Sequence, residues 1–152
     1  MESIRVRKII VGDPQKIWKL LSHPQYFTHW LPRVTNVQFL DGAREGLGST
    51  WHITKETDIG YQELDQECTT WQENKQIAWH DQRSFIDHHA MTQMTNVQTI
   101  ITLSPHALGT MVEIVCHWEP VGIAGKFLSK MYLKKNTEKM FDDALVNLSM
   151  LV

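Results

Sequence analysis

The residues best placed for chemistry are a lysine and a glutamate near the C-terminus, Lys134 and Glu138. From residue 125 onward the apolar residues recur at helical spacing, and at about 100° per residue one stripe of this predicted helix holds the charged pair at its middle. The stripe consists of Phe127, Met131, Lys134, Glu138, Phe141 and Leu145. Charged side chains are seldom buried unless they are paired. A glutamate enclosed there could act as an acid or base, and the lysine could orient a polar group.

Two alternatives place this charged pair in water. The helix could bend near residues 134–136, or its middle could extend beyond the edge of whatever it packs against. The lysines at 126, 130, 134, 135 and 139 also make the helix basic, as in helices that lie on membrane surfaces. Because Glu138, Asp142 and Asp143 are interspersed among them, we expect a solvated face and no stable membrane insertion.

A run of potential metal ligands, Asp87-His88-His89, lies close to His80 and Asp81. Imidazole and carboxylate are the usual ligands of zinc and iron. Adjacent histidines in a strand point to opposite sides, however, and no pair of histidines four residues apart on a helix supports a site. We therefore expect a solvated loop and no metal.

No motif for covalent or cofactor chemistry is present. The sequence contains no Gly-x-Ser-x-Gly turn, no phosphate-binding glycine-rich loop and no dinucleotide fingerprint, and Gly46-Leu47-Gly48 has the composition of a turn between strands. We therefore assign no catalytic residue and predict no cofactor.

The composition is that of one globular domain spanning residues 1–152. It is 42% hydrophobic and 21% charged, with six Trp and eight His. A net charge of −2 gives no basic footprint for nucleic acid. Charged residues at the N-terminus replace the apolar run of a signal peptide, so a cytoplasmic location is expected. Cys68 and Cys116 lie in strand patterns and are expected to be buried thiols.

The predicted elements follow the order β-α-α-β6-α. A strand over residues 4–11 leads to Asp13-Pro14, which are typical of a helix N-cap and first helical position. A second short helix ends before Pro32. Six strands follow at residues 34–40, 49–57, 61–71, 76–85, 94–103 and 110–118. Strands joined by short loops pair antiparallel, so the pattern indicates an α+β fold with the last helix across one face of a curved sheet.

This order resembles the START-like (Bet v 1-type, helix-grip) superfamily, and within it the polyketide cyclase/dehydrase and lipid-transport family. The resemblance is carried by Asp13-Pro14-Gln15-Lys16-Ile17-Trp18, Trp30-Leu31-Pro32-Arg33-Val34, Gly46-Leu47-Gly48-Ser49-Thr50, Thr70-Trp71-Gln72-Glu73-Asn74-Lys75-Gln76-Ile77-Ala78-Trp79, Leu103-Ser104-Pro105, Gly109-Thr110, Glu119-Pro120-Val121-Gly122 and Ala144-Leu145-Val146-Asn147-Leu148. It implies an incomplete barrel gripping the C-terminal helix. It also implies a cavity that holds lipids, sterols, quinones or polyketides in relatives, and no shared catalytic motif.

Strand alternation predicts which side chains face that cavity. In the last strand the apolar set Val112, Ile114, Cys116 and Trp118 shares one face. By the same alternation Trp51 and Ile53 oppose His52, and Ile77 and Trp79 oppose His80. The inward tryptophans either line a hollow interior or fill a solid core, because both arrangements produce this pattern.

The leading interpretation is a non-catalytic binding or carrier protein for a small apolar or aromatic ligand, with Trp30 and Phe85 at the mouth of the cavity. The predicted ligand-contacting residues are Trp30, Trp51, Ile53, Trp79, Phe85, Trp118, Phe127, Met131, Lys134, Glu138 and Phe141. One alternative is a cyclase or dehydratase that uses Glu138 or a histidine. Another is an accessory protein that interacts with quinones or macromolecules. The sequence leaves the oligomeric state open.

Overall fold

The secondary structure follows from turn and capping signals along the chain. The computed structural model describes residues 1–58, 60–90 and 93–152. Within them the strands are β1 (Glu2–Ile10), β2 (Val34–Phe39), β3 (Thr50–Thr57), β4 (Gly60–Gln72), β5 (Gln76–Ile86), β6 (His89–Ala90), β7 (Met94–His106) and β8 (Gly109–Pro120). The helices are α1 (Pro14–Ser22), α2 (Phe27–Trp30), α3 (Gly122–Leu128) and α4 (Lys134–Leu151).

The start of α1 is fixed by the predicted cap. The side chain of Asp13 accepts a hydrogen bond of 3.0 Å from the backbone N–H of Gln15, and Pro14 occupies the first turn. Pro24 then begins a short 3-10 turn (Pro24–Tyr26) that leads into α2. The indole of Trp30 donates a 2.8 Å hydrogen bond to the Leu20 carbonyl, which ties α2 to the end of α1.

The strands form one antiparallel sheet in the order β1-β8-β7-β5-β4-β3-β2, with β6 added on β5. Apart from the short β6, neighbouring strands in this order are consecutive in the chain except where β1 closes against β8, as a meander requires. The prediction of an α+β helix-grip fold, with a curved antiparallel sheet and a long C-terminal helix, is confirmed. The two-residue strand β6 lies where the sequence predicts a loop.

An aromatic cluster joins the helices to the sheet. The ring of Phe27, on α2, lies 5.6 Å from Trp30, 5.9 Å from Trp51 and 5.2 Å from Trp79, measured between centroids. All four side chains are at most 2% exposed. Asn147 on α4 donates a 3.2 Å hydrogen bond to the Trp30 carbonyl, so the last helix is anchored at the same place. This end of the sheet is therefore filled with side chains.

The C-terminal helix contains a π-helical turn, Ser129–Leu133, between α3 and α4. A π turn holds more residues than an α turn, so the phase of the helix slips across it. The residues on the side toward the sheet recur every four positions, at buried Gly125, Ser129 and Phe141 and at half-buried Leu133 and Thr137. An ideal α-helix would turn Gly125 away from the face that carries Phe141. The structure thus departs from the stripe predicted at a constant α-helical period.

We expect Phe27→Ala to lower the free energy of unfolding by about 3 to 5 kcal/mol, because it opens a cavity in the aromatic cluster. The matched control is Phe127→Ala, since Phe127 is 69% exposed. Its effect should stay within about 0.5 kcal/mol. Urea unfolding followed by tryptophan fluorescence measures both. Equal losses in the two variants would contradict this description of the core.

Candidate functional site

The inner face of the sheet, which faces α4, is filled along one half and accessible along the other. Trp51 and Ile53 on β3, and Ile77 and Trp79 on β5, are at most 3% exposed. Further along the inner face, the side chains on β3, β5 and β7 retain accessible surface. These partly accessible residues are Lys55, Asp81, Ser84, Ile86, Met94 and Val97. We call this partly accessible region, with Lys55, Asp81 and Val97 on the sheet and Leu133 and Met140 on the C-terminal helix, the inner recess.

Lys55 brings an ammonium group into this recess. It follows Trp51 and Ile53 on the inner face of β3, and its Nζ lies 3.1 Å from the Met140 sulfur on α4. Among the described residues that thioether is its only hydrogen-bonding contact. Burial lowers the pKa of Lys55 from its ordinary value, partly offset by the charge of Asp81. A thioether is a weak acceptor, so the ammonium has unused capacity to donate hydrogen bonds.

Asp81 is held by a chain of side-chain hydrogen bonds. The Trp51 indole donates to Gln66 Oε1 at 2.8 Å, and Gln66 Nε2 donates to Asp81 Oδ1 at 2.8 Å. The chain fixes both the orientation of the Gln66 amide and the position of the carboxyl group. Burial raises the pKa of Asp81 from 3.8 to about 6, although Gln66 and Lys55 both act to lower it.

The second oxygen of Asp81 faces accessible space. No described residue hydrogen-bonds to Oδ2, yet every fully buried side-chain nitrogen or oxygen among the described residues has a partner. Asp81 and Lys55, both within the described chain, also form no direct ion pair with each other. Both groups are therefore available to a molecule that enters the recess.

The Cys116 thiol near these two groups, like that of Cys68 in the packed half, is chemically inert. Thr99 donates a 3.8 Å hydrogen bond to the Cys116 sulfur, and burial raises the pKa of the Cys116 thiol to about 12. Burial likewise raises the pKa of Cys68 to about 11. Neither thiol forms the reactive thiolate near neutral pH. The prediction of two buried thiols is thus confirmed, and the chemistry of the recess rests on Lys55 and Asp81.

Most of the aromatic and aliphatic residues predicted as ligand contacts lie in packed core. Trp30, Trp51, Ile53, Trp79, Trp118 and Phe141 are all at most 4% exposed. Trp118 donates a 2.9 Å hydrogen bond to the Ser129 hydroxyl, which fastens β8 to the π turn. Of this set, Trp51 reaches the recess only through its hydrogen bond to Gln66.

The four helix residues predicted to border a ligand lie elsewhere. Phe127 and Met131 are 69% and 62% exposed. Lys134 is exposed and pairs with Glu2 at 3.5 Å, and Glu138 is exposed as well. For Phe127 and Met131 the physical reason is the π turn, which rotates the helix before it relative to Phe141. Lys134 and Glu138 lie with Phe141 in the regular helix α4, whose less exposed side is formed by Thr137, Met140 and Phe141. The alternative in which this charged pair lies in water is the one observed.

The structure places the two residues predicted at the mouth, Trp30 and Phe85, away from the inner recess. Trp30 has no exposed surface and belongs to the aromatic cluster. Phe85 pairs with Glu63, which lies on the outer face where it contacts His52. A β-bulge at Gln82 reverses the alternation of β5, so Ser84 and Ile86 point inward in place of Phe85.

The two polar residues of the recess were missed, although a sequence signal for them existed. Lys55 has the same strand parity as Trp51 and Ile53, and Asp81 has the same parity as Ile77 and Trp79. Continuing the predicted inner faces by one step would have identified both. The sequence prediction instead followed the charged stripe of the C-terminal helix and the histidines near Asp81.

Two recesses lined by described residues lie on the outer surface. One of about 460 Å³ borders α1 and is lined by Asp13, Gln15, Lys16, Lys19, Leu20 and Tyr26. The other, of about 230 Å³, lies beside the β3–β4 turn at Glu56 and Tyr61. Neither is the cavity predicted between sheet and helix. Within residues 1–58, 60–90 and 93–152 no group of three His, Cys, Asp or Glu side chains could hold a metal ion. No helix of the described chain is long and apolar enough to cross a membrane.

Fold and site together define a helix-grip domain whose inner face is polar and partly accessible at Lys55 and Asp81, beneath the last helix. The model of the family described as "Polyketide cyclase / dehydrase and lipid transport" matches residues 1–152. The chain therefore belongs to this family, as the sequence motifs indicated, and family and fold together indicate a hydrophobic-ligand-binding domain. No curated protein matches the sequence significantly.

Solved structures with the same fold come from distant organisms. TTHA0849 from Thermus thermophilus is 16% identical, with a TM-score of 0.76 over 98% of this chain and 95% of that one. XoxI from Bacillus cereus is 15% identical, with a TM-score of 0.75 over 99% and 95%. Ginseng major latex-like protein 151 from Panax ginseng is 8% identical, with a TM-score of 0.76 over 98% and 95%. At these identities the likeness concerns the fold.

Asp81→Asn should change how stability depends on pH. Folded Asp81 keeps its proton up to about pH 6, whereas the unfolded chain loses it near 3.8. Between these values the folded state binds more protons, so the contribution of Asp81 to stability falls as pH rises through this window. Asparagine does not ionise. The stability of the variant relative to wild type should therefore rise by at most about 3 kcal/mol between about pH 4 and pH 7.

Urea unfolding at both pH values measures this difference. Asp41→Asn, on an exposed turn, is the control and should alter stability equally at the two pH values. A difference between Asp81→Asn and wild type that does not change with pH would contradict the assignment.

Proposed function

We propose that the protein binds a small, largely apolar molecule with one polar or acidic group, and that the inner recess is its site. The observation that carries the proposal is Lys55, an ammonium beneath the last helix whose only hydrogen-bonding contact among the described residues is a thioether. A buried charge without a good partner is costly to the folded state. A ligand oxygen would supply the missing acceptor.

The chemistry of the recess supports a ligand with one polar end and one apolar end. Lys55 and Asp81 offer a donor and a carboxyl group at one side, while Val97, Leu133 and Met140 present apolar surface. Enclosing about 200 Å² of apolar ligand surface would contribute about 5 kcal/mol. A charged hydrogen bond to Lys55 would add about 1.5 to 3 kcal/mol. Such a site selects an apolar ligand with a correctly placed oxygen atom. It does not require one particular ligand structure.

The filled half of the inner face supports a small ligand over a long one. The cluster of Phe27, Trp51 and Trp79 occupies the space in which a longer chain would extend. A carrier role would follow if the accessible half of the inner face enclosed the ligand reversibly.

Lys55→Met should weaken the binding of anilinonaphthalene sulfonate about tenfold or more, because a charged hydrogen bond to the sulfonate is lost. The binding of phenylnaphthylamine, which has the same rings without the sulfonate, should change less than about twofold. Replacing a buried charge with an apolar side chain of similar volume is often neutral for stability. Fluorescence titration of both probes against wild type and variant gives the four affinities.

The matched control is Lys134→Met, which removes the lysine that the sequence pattern predicted as the ligand contact. Lys134 is exposed and pairs with Glu2, so this variant should bind both probes as wild type does. The proposal is wrong if Lys134→Met and Lys55→Met have the same effect. It is also wrong if neither probe binds the wild-type protein stoichiometrically.

A second candidate function, proton-transfer catalysis of the cyclase or dehydratase type, is supported by Asp81. A carboxyl group whose pKa is raised to about 6 is suited to donate and accept protons near neutral pH. Its free Oδ2 borders the recess, and the hydrogen bond from Gln66 holds it in place.

Under this second function Asp81→Asn should abolish the conversion of whatever molecule co-purifies with the native protein, while Glu138→Gln should leave it unchanged. The ligand is extracted, incubated with fresh protein, and followed by mass spectrometry for the loss of one water. A ligand recovered unchanged from wild-type protein argues for binding alone. Conversion lost in Glu138→Gln but retained in Asp81→Asn would refute the role of Asp81.

A further inference from the structure

We propose that residues 121–135 form a docking face for the surface of an anionic lipid bilayer. The docking face consists of the exposed apolar side chains of Ile123, Phe127, Leu128, Met131 and Tyr132 together with the lysines at 126, 130 and 135. This surface is separate from the inner recess, and the proposal stands whether or not the recess binds a ligand.

The apolar part of the docking face is a ridge directed away from the sheet. Ile123, Phe127 and Met131 are spaced four residues apart and are 89%, 69% and 62% exposed. Gly125 and Ser129, two residues further along in each turn, are buried against the protein. Large apolar side chains exposed in a row on one helix are uncommon on a surface that meets only water.

Lysines flank this ridge in a stretch of sequence that contains no acids. Lys126 and Lys130 lie one turn apart beside it, and Lys135 continues the line of Met131. Neither Lys126 nor Lys130 forms an ion pair with a described residue, whereas Lys134 is paired with Glu2. The sequence has no Asp or Glu between Glu119 and Glu138. The acids that suggested a solvated face all lie C-terminal to the docking face.

An exposed apolar ridge with lysines alongside it fits an anionic bilayer. Such a helix lies in the plane of the interface with its apolar side chains among the acyl chains and its lysines at the headgroups. The lysines are attracted to anionic lipids within about one Debye length of the surface. A second copy of the chain would present the same positive charge to itself, so charge complementarity favours the bilayer.

The docking face lies beside the open half of the inner face. The Val121 N–H donates a 2.9 Å hydrogen bond to the Gln93 carbonyl, and a Cβ on Gly125 would approach that same carbonyl to 2.7 Å. Gln93 directly precedes β7, whose first residues include Met94 and Val97. A bilayer held by this face would thus lie close to the entrance of the inner recess.

The test is co-sedimentation of the full chain with vesicles of three parts phosphatidylcholine to one part phosphatidylserine, compared with pure phosphatidylcholine vesicles. The protein should sediment with the anionic vesicles only, and raising salt from about 0.1 M to about 0.5 M should release it. Lys126→Gln with Lys130→Gln should weaken binding about thirtyfold, near fivefold for each lysine. Ile123→Ser with Phe127→Ser should weaken it at least about tenfold.

Matched control variants remove the same residue types elsewhere. Lys8→Gln with Lys75→Gln takes away two exposed lysines of other elements, and Leu47→Ser with Leu108→Ser takes away two leucines that are 71% and 70% exposed. Both controls should bind vesicles within about twofold of wild type. Circular dichroism of all four variants verifies that they fold.

Three outcomes overturn the proposal. The first is no binding of wild type to anionic vesicles. The second is an equal loss in the control lysine variant, which would reflect net charge alone. The third is a wild-type dimer in sedimentation velocity that Phe127→Ser converts to monomer without any vesicle binding, since the ridge would then be an interface between two copies.

Discussion

The packing of Phe27 against three tryptophans determines what the rest of this structure can do. The ring of Phe27 contacts Trp30 on its own helix and Trp51 and Trp79 on the sheet, so one aromatic cluster binds α2 to two strands. Aromatic side chains bury large areas, and this cluster occupies one half of the inner face completely. Among the described residues the inner face therefore retains accessible surface further along β3 and β5, at Lys55 and Asp81.

Gln66 connects the filled half to the accessible half. Its amide accepts from the Trp51 indole and donates to Asp81, so an aromatic side chain of the core orients a carboxyl group of the recess. Because the amide uses both ends in these bonds, Asp81 has a fixed direction before any ligand arrives. Preorganisation of this kind reduces the entropy that a binding partner must lose. The position of Asp81 in the recess is thus fixed by hydrogen bonds that begin at a buried core residue, Trp51.

The sequence predicted the fold better than the site. Asp13-Pro14 predicted the start of α1, and the alternation from Val112 to Trp118 correctly predicted the buried face of β8. The same alternation contained Lys55 and Asp81, which were overlooked. Phe85 and Phe127 could not be placed from the sequence, because a bulge at Gln82 and a π turn each shift the phase. No residue type marks either irregularity, since both arise from how strands and helices meet in three dimensions.

The π turn links the two surfaces of the C-terminal helix. A constant α-helical period would turn Phe127 and Met131 toward the sheet together with Phe141, and the space beneath the helix would receive two large apolar side chains. The underwound turn instead directs small Gly125 and Ser129 inward, where Ser129 accepts the Trp118 hydrogen bond. The small residues on the inner side and the apolar ridge on the outer side thus have one cause. A change that restored a regular α-helix through residues 129–133 would turn Phe127 and Met131 toward the sheet and remove the ridge of the docking face.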